Sequence, residues 1–127
     1  MDVNIDLNAD STTTVSIYAA GMASNRALFV SWNVPAEMNP GETTAVQVTM
    51  KNIGLDSWTT VAGHKLGSQA PADNTTWGLS RVELPGTVET NQNALFTFNI
   101  TAPATPGVYE MQWQMIDEAG ENTGWFG

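Results

Sequence analysis

The chain has 127 residues, no cysteine, one histidine, and a formal net charge of −9 from thirteen acidic and four basic side chains. The lack of cysteine excludes a disulfide framework and a thiolate metal site, and a single histidine excludes a histidine-rich zinc site within one copy. The acidic balance argues against nucleic acids and anionic membranes as partners, because both require a positively charged binding surface.

The length predicts one domain that can bury a core without metal or disulfide support. No apolar run reaches the 18 residues of a membrane-spanning helix, so no membrane insertion is expected. The start, "MDVNIDLNAD", lacks the basic and apolar regions of a signal peptide. We therefore expect either a trimmed mature chain or one made in a cytoplasm and released otherwise, as phage structural proteins are by lysis. The Thr- and Asn-rich, weakly charged composition is typical of β-proteins on extracellular or virion surfaces.

The first 25 residues contain two short alternating segments, "VNIDLN" and "TVSIY", joined by "ADST". They predict a β-hairpin whose apolar positions are Val3, Ile5, Leu7, Val15 and Ile17. A lone hairpin is only marginally stable in water. Residues 1–25 are therefore expected either to extend the edge of the main domain or to serve as an assembly arm on another subunit.

Residues 26–127 are expected to form the main domain, beginning with the strand "ALFVSW" (27–32). Apolar and polar residues then alternate in "TAVQVTM", "LFTFNIT" and "VYEMQWQM", and turn signals such as "NPGE" and "TPG" separate the segments. This period of two predicts half-buried antiparallel strands in an all-β sandwich or barrel. The predicted core includes Trp58, Phe96, Phe98, Tyr109, Met111 and Trp113.

Three local features favour an immunoglobulin-like antiparallel β-sandwich with an extra N-terminal hairpin or arm. "AVQVTMKNIG" followed by Trp58 is typical of a strand, a turn and the next strand. "TPGVYEMQW" sets Tyr109 just after a Pro-Gly turn and two positions before Met111, the spacing of a tyrosine corner. "MIDEAGENTGWFG" predicts a closing hairpin with an aromatic last strand.

Residues 27–127 also resemble the four-tryptophan (FW) immunoglobulin-like domain, known in selective-autophagy cargo receptors and bacterial secreted proteins. The segments that carry the resemblance are "VPAEMNPGE", "VTMKNIGLDSWT", "HKLGSQAPADNTTWGLSRVELPG", "FTFNITAPATPGVYEMQWQM" and "GWFG". They assign the four family tryptophans to Trp58, Trp77, Trp113 and Trp125, and leave Trp32 outside the set. The resemblance implies that these indoles are mainly architectural, so that Trp77 folds back from its loop onto the sandwich. "GLSRVEL" would then form an adjoining strand, with Arg81 beside a carboxylate.

Catalytic and metal-binding chemistry find little support in the sequence, and no cofactor is expected. His64 has no G-x-S-x-G context and is expected at the surface of a strand edge, and a solvated strand face accounts for Glu110. The segment "DEAGEN" offers a weak calcium candidate in Asp117, Glu118 and Glu121, but an acidic hairpin tip explains it better.

We therefore expect a non-enzymatic structural or interaction module of an extracellular or virion assembly, such as a decoration, tail or filament protein. It would bind protein partners, in the first place assembly subunits, through its N-terminal segment. The alternative is an accessory domain that recognises a cell-surface glycan or a peptide. The candidate ligand-binding residues are then Trp32, Trp77, Trp125 and Phe126.

Overall fold

A computed structural model describes residues 2–6, 14–16, 25–69, 71–120 and 123–127. These residues form nine β-strands and no helix. The strands are β1 (Asp2–Asp6), β2 (Thr14–Ser16), β3 (Ala27–Asn33), β4 (Thr43–Asn52), β5 (His64–Gln69), β6 (Arg81–Glu83), β7 (Asn93–Thr101), β8 (Val108–Asp117) and β9 (Gly124–Phe126). Accordingly, the described part of the chain contains no helix that is long and apolar enough to span a membrane.

The strands form two antiparallel sheets. The larger sheet has the order β2-β1-β8-β5-β6, with β9 also paired to β8. The smaller sheet has the order β3-β4-β7. The prediction of an all-β protein with two antiparallel layers is thus confirmed.

Period-two alternation fixes which side of each central strand faces inward. In β7, Phe96, Phe98 and Ile100 are buried while the residues between them are exposed. On the neighbouring β4, Val46 lies opposite Phe98 and Val48 opposite Phe96, and both valines are buried. The smaller sheet therefore presents one continuous apolar face to the larger sheet.

The core lies between the two sheets and is built around aromatic rings. Phe98 of the smaller sheet meets Trp113 of the larger sheet edge-to-face, with 5.0 Å between ring centroids. Trp58 and Trp113 are fully buried, although neither indole N–H has a hydrogen-bond acceptor among the described residues. Burying an indole of 150–250 Å² gains about 4–6 kcal/mol, which exceeds the roughly 1–3 kcal/mol cost of an unpaired donor. Burial therefore outweighs the missing hydrogen bonds.

Two polar side chains close the connections around this core. The hydroxyl of Tyr109 donates a 2.6 Å hydrogen bond to the backbone carbonyl of Thr105, which ties the start of β8 to the turn before it. The buried amide of Asn52 accepts from the N–H of Gly54 and donates to the carbonyls of Asp56 and Val88. Both side chains thus supply hydrogen bonds to main-chain groups in the connections between strands.

Candidate interaction site

β8 is paired along both of its main-chain edges. One edge carries β5, and the other edge, called here the second edge of β8, carries two different strands. β5 pairs with β8 from Gln112 to Asp117. β9 pairs with Met115–Asp117 and β1 pairs with Val108–Gln112. Because both ranges overlap the part of β8 that β5 already pairs, β1 and β9 must both lie on the other side.

The registers of β1 and β9 make them two parts of one strand position. Both run antiparallel to β8, so they point in the same direction. β9 reaches the position opposite Met115, and β1 starts at the position opposite Gln112. Only the positions opposite Trp113 and Gln114 lie between them. The C-terminal strand therefore covers one half of the second edge, and the N-terminal strand covers the other half.

The candidate arm residues occupy defined places in this arrangement. Val3 stands opposite both Met111 of β8 and Val15 of β2, and Ile5 stands opposite Tyr109. Met111 is fully buried and Tyr109 packs against the core. The candidates Leu7 and Ile17 lie outside the described residues. The hairpin thus meets the sandwich beside two of the β8 residues that belong to the core or pack against it, Met111 and Tyr109.

Trp77 leaves its loop and enters the space between the sheets. It is 2% exposed, and its indole N–H donates a 3.3 Å hydrogen bond to the carbonyl of Glu110. Its ring also meets Tyr109 edge-to-face at 6.3 Å. Because its ring is almost completely buried, Trp77 is no longer a candidate for ligand binding. The side chain of Glu110 remains on the exposed face of β8.

Phe126 and Trp32 also turn towards the core. Phe126 lies 5.9 Å from the ring of Trp58 and 6.1 Å from that of His64. Trp32 is partly buried and packs against the core from β3, opposite the buried Val48. Of the four candidate ligand-binding aromatics, Trp125 alone lies over the outer face of a sheet.

The indole of Trp125 lies across the outer face of the larger sheet and reaches Gly67 on β5. A Cβ at Gly67 would stand 2.7 Å from two carbons of that ring. The guanidinium of Arg81 lies 5.1 Å from the ring centroid, within the range of a cation–π contact. Sequence reasoning missed Gly67, although a glycine inside a strand is itself a signal of close approach by another group.

Five charged side chains form a network of ion pairs around Arg81, whose guanidinium lies over the Trp125 ring. Arg81 pairs with Asp73 and with Glu118, and Lys65 pairs with Glu118 and Glu83. The hydrogen bond and charge of Glu118, with the charge of Glu83, outweigh burial and raise the pKa of Lys65. Arg81 does lie beside carboxylates, as the sequence analysis expected.

The expectation of a surface histidine was wrong: His64 is 3% exposed. Its Nδ1 accepts the Thr59 N–H at 3.0 Å, which leaves the proton on Nε2, and Nε2 donates to the side-chain carbonyl of Asn25 at 2.9 Å. The side-chain amide of Asn25 in turn donates to Asp117 at 2.9 Å. Asn25 carried no recognisable signal, because its role depends on residues 39 and 92 positions away.

Asp117 organises the turn between β8 and β9. Its carboxylate accepts hydrogen bonds from Asn25 and from the N–H groups of Ala119 and Gly120. Burial raises the pKa of Asp117, but these hydrogen bonds and the nearby His64 lower it more, so the pKa lies below its usual value of 3.8. The cluster is therefore a fully engaged structural network.

The calcium candidates do not converge. Asp117 is buried, whereas the side chain of Glu118 is half-exposed and pairs with Lys65 and Arg81. Glu121 lies outside the described residues. Across the part of the chain that the structure describes, no three His, Cys, Asp or Glu side chains are grouped so as to hold a metal ion.

Comparison with known proteins adds no relative to this picture. A scan against protein-family models finds no match, and a search of curated protein sequences finds no significant similarity.

Proposed function

We propose that this chain is a non-enzymatic, immunoglobulin-like module of an extracellular or virion assembly that docks through its N-terminal hairpin. The observation that carries the proposal is the split of the second edge of β8 between β9 and β1. An extended segment that completes a sheet edge gains main-chain hydrogen bonds from any partner that offers the same geometry. The N-terminal hairpin is therefore the natural docking element.

Strand order and the Tyr109 hydrogen bond support the immunoglobulin-like assignment. The order β6-β5-β8-β9 against β3-β4-β7 corresponds to the C′-C-F-G and A-B-E sheets of that fold. The Tyr109 hydroxyl bonds back to Thr105, as a tyrosine corner requires. Burial of Trp58, Trp77 and Trp113 agrees with the architectural role that the four-tryptophan resemblance implies.

The state of His64 supports a non-enzymatic role. Both ring nitrogens are engaged, Nδ1 by the Thr59 N–H and Nε2 by Asn25, and the ring is buried. A general base must reach the proton that it abstracts from a substrate. We therefore assign His64 to folding.

To test this proposal, the tagged chain is purified from the cells that produce it. Native mass spectrometry then measures whether the chain is recovered in a stoichiometric complex. We expect Val3→Asp with Ile5→Asp to abolish the complex, because charged residues would then stand opposite Met111, which is buried, and Tyr109, which packs against the core. The matched control is Thr97→Asp with Asn99→Asp on the exposed face of β7, which changes the charge equally and should leave the complex intact.

A peptide of residues 1–16 supplies a second measure that does not depend on folding of the variant. Added in excess to the parent complex, it should release the partner. A complex that survives both the hairpin substitutions and the peptide, or a parent chain recovered only as a free monomer, would contradict the proposal.

A second candidate function, recognition of a glycan or peptide, is favoured by Trp125. Its partly exposed indole lies on the outer face of the sheet, beside Arg81 and the carboxylates that pair with it. On glycan and peptide arrays, Trp125→Ala should abolish binding, whereas Trp32→Ala should not, because Trp32 packs against the core. No binding by the parent chain, or equal binding by both variants, would exclude this function.

A further inference from the structure

We propose that the β1–β2 hairpin is exchanged between copies of this chain, so that β1 of a second copy pairs with Val108–Gln112. This inference rests on the proposed docking through the hairpin. It adds the identity of the partner, the acceptor strand and the register: residue 2 of one copy opposite Gln112 of the other, and residue 6 opposite Val108.

The collinear arrangement of β9 and β1 is the first support. A single strand running beside β8 would continue from Phe126 past Gln114 and Trp113 and on towards Val108. Instead, the strand beside Val108–Gln112 is β1, which comes from the opposite end of the sequence. Because no peptide bond joins the two halves, the position beside Val108–Gln112 does not require a strand of the same copy.

The pairing of the hairpin is the second support. Among the described strands, β1 pairs only with β8 and β2, and β2 pairs only with β1. The β1–β2 ladder would move intact with the hairpin, so departure breaks one ladder alone. In the closed form the hairpin pairs with β8 of its own chain, and in the exchanged form it pairs with β8 of a second copy. The two forms contain the same contacts, and they differ only by the cost of association and by the path of the connecting chain.

The acceptor edge is the third support, because it cannot remain empty without cost. Loss of β1 would expose a row of unpaired N–H and C=O groups beside Met111, which is fully buried, and Tyr109. The occupant must be an extended segment with apolar residues at the register positions opposite Met111 and Tyr109. β1 has Val3 and Ile5 at these positions, and every copy of the chain carries it.

The connection is long enough for the exchange. Eight residues separate Ser16, the end of β2, from Asn25, which bonds Asp117 in the sandwich. Nine peptide steps span at most about 30 Å. A hairpin tethered at this distance can reach a neighbouring copy packed side by side.

The natural absence of cysteine makes exchange directly measurable. Asn4 stands opposite Glu110, whose side chain is exposed. Cβ atoms at paired antiparallel positions lie about 4.5–5.5 Å apart, close enough for a disulfide after small adjustment. One full-length chain carries Asn4→Cys, a second carries Glu110→Cys, and the two are mixed, unfolded, refolded together and oxidised.

We expect the mixed disulfide between the two chains to exceed, by about tenfold or more, that of a matched control mixture. The control pairs the Asn4→Cys chain with Thr97→Cys, which places a thiol at an exposed position on the other sheet. Products are quantified by non-reducing electrophoresis and mass spectrometry.

One chain that carries both Asn4→Cys and Glu110→Cys separates the two levels of the proposal. An intrachain disulfide here, with no mixed disulfide above the control, would overturn exchange and leave docking to a different partner intact. Failure of both disulfides would place β1 elsewhere than beside Glu110, and would overturn the exchange together with the hairpin-based function.

Discussion

At the scale of single residues, Gly67 determines what the outer face of the larger sheet can hold. A strand glycine normally weakens a sheet, so replacement by alanine is expected to stabilise by about 0.5–1 kcal/mol. At Gly67 the added methyl group would stand 2.7 Å from the Trp125 ring and 3.0 Å from the Arg81 guanidinium. Because of this close contact, we expect the substitution to destabilise the protein rather than stabilise it.

We predict that Gly67→Ala lowers the free energy of unfolding by about 1 kcal/mol, because the indole must move off the sheet. Gly86→Ala is the matched control, since a Cβ there has no neighbour within 4 Å. Urea denaturation measures both variants. A Gly67→Ala chain as stable as the Gly86→Ala chain would show that the indole does not lie against β5.

Asp117 makes stability depend on pH. Its pKa in the folded protein lies below the usual 3.8, so the unfolded chain binds the proton more readily. The resulting stabilisation is complete above about pH 5 and is lost as the pH falls through the lowered pKa. The hydrogen bonds from Asn25 and Gly120 thus hold the β8–β9 turn more strongly when the carboxylate is ionised.

We predict that Asp117→Asn lowers stability at pH 7 by about 1–3 kcal/mol, because one amide –NH₂ replaces an accepting oxygen. The free energy of unfolding of this variant should also fall less steeply below pH 4 than that of the parent. Glu37→Gln, at an exposed position, is the control and should follow the parent curve. Identical acid limbs for parent and Asp117→Asn would contradict the assignment.

At the scale of elements, one hydroxyl ties the start of β8 to the turn that precedes it. Tyr109→Phe keeps the ring beside Trp77 but removes the hydrogen bond to the Thr105 carbonyl. We predict a loss of about 1 kcal/mol in the free energy of unfolding. Thr105→Ala keeps the backbone acceptor and should change stability by less than about 0.5 kcal/mol. An equal loss in both variants would attribute the effect to the turn sequence instead.

The sequence predicts some of these elements and not others, for reasons that lie in packing. β4, β7 and β8 each have one solvent-exposed face, so apolar and polar residues alternate along their sequences. This alternation predicted the two-sheet fold. β5 does not alternate, because Trp125 covers Gly67 from outside while Leu66 is buried inside. Burial on both faces removes the pattern on which such a prediction depends.

The candidate interaction site was predictable only in part. Alternation in residues 1–25 indicated a hairpin, and β1 and β2 do pair. The place of β1 beside β8 depends on how far β9 extends along the same edge. That length is set by tertiary pairing, and no local pattern in "GWFG" records it.

At the scale of the whole molecule, a charge of −9 at pH 7 opposes every compact or associated state. Two of the four basic residues, Lys65 and Arg81, are already committed to one network on the outer face, with Glu83, Glu118 and Asp73. Salt weakens such exposed ion pairs, each worth at most about 1 kcal/mol, and it also screens the repulsion among the remaining acids. These two effects have opposite signs.

We predict that screening of repulsion dominates, because thirteen acidic side chains face only four basic ones, so that Tm at pH 7 rises by about 2–5 °C between about 0.02 and 0.5 M NaCl. The matched condition is about pH 4.1, the isoelectric point expected from the sequence, where the net charge is near zero and the rise should disappear. Calorimetry at both pH values distinguishes the alternatives. A Tm that falls with salt at pH 7 would mean that the network around Lys65 and Arg81 contributes more to the fold than the excess of negative charge costs it.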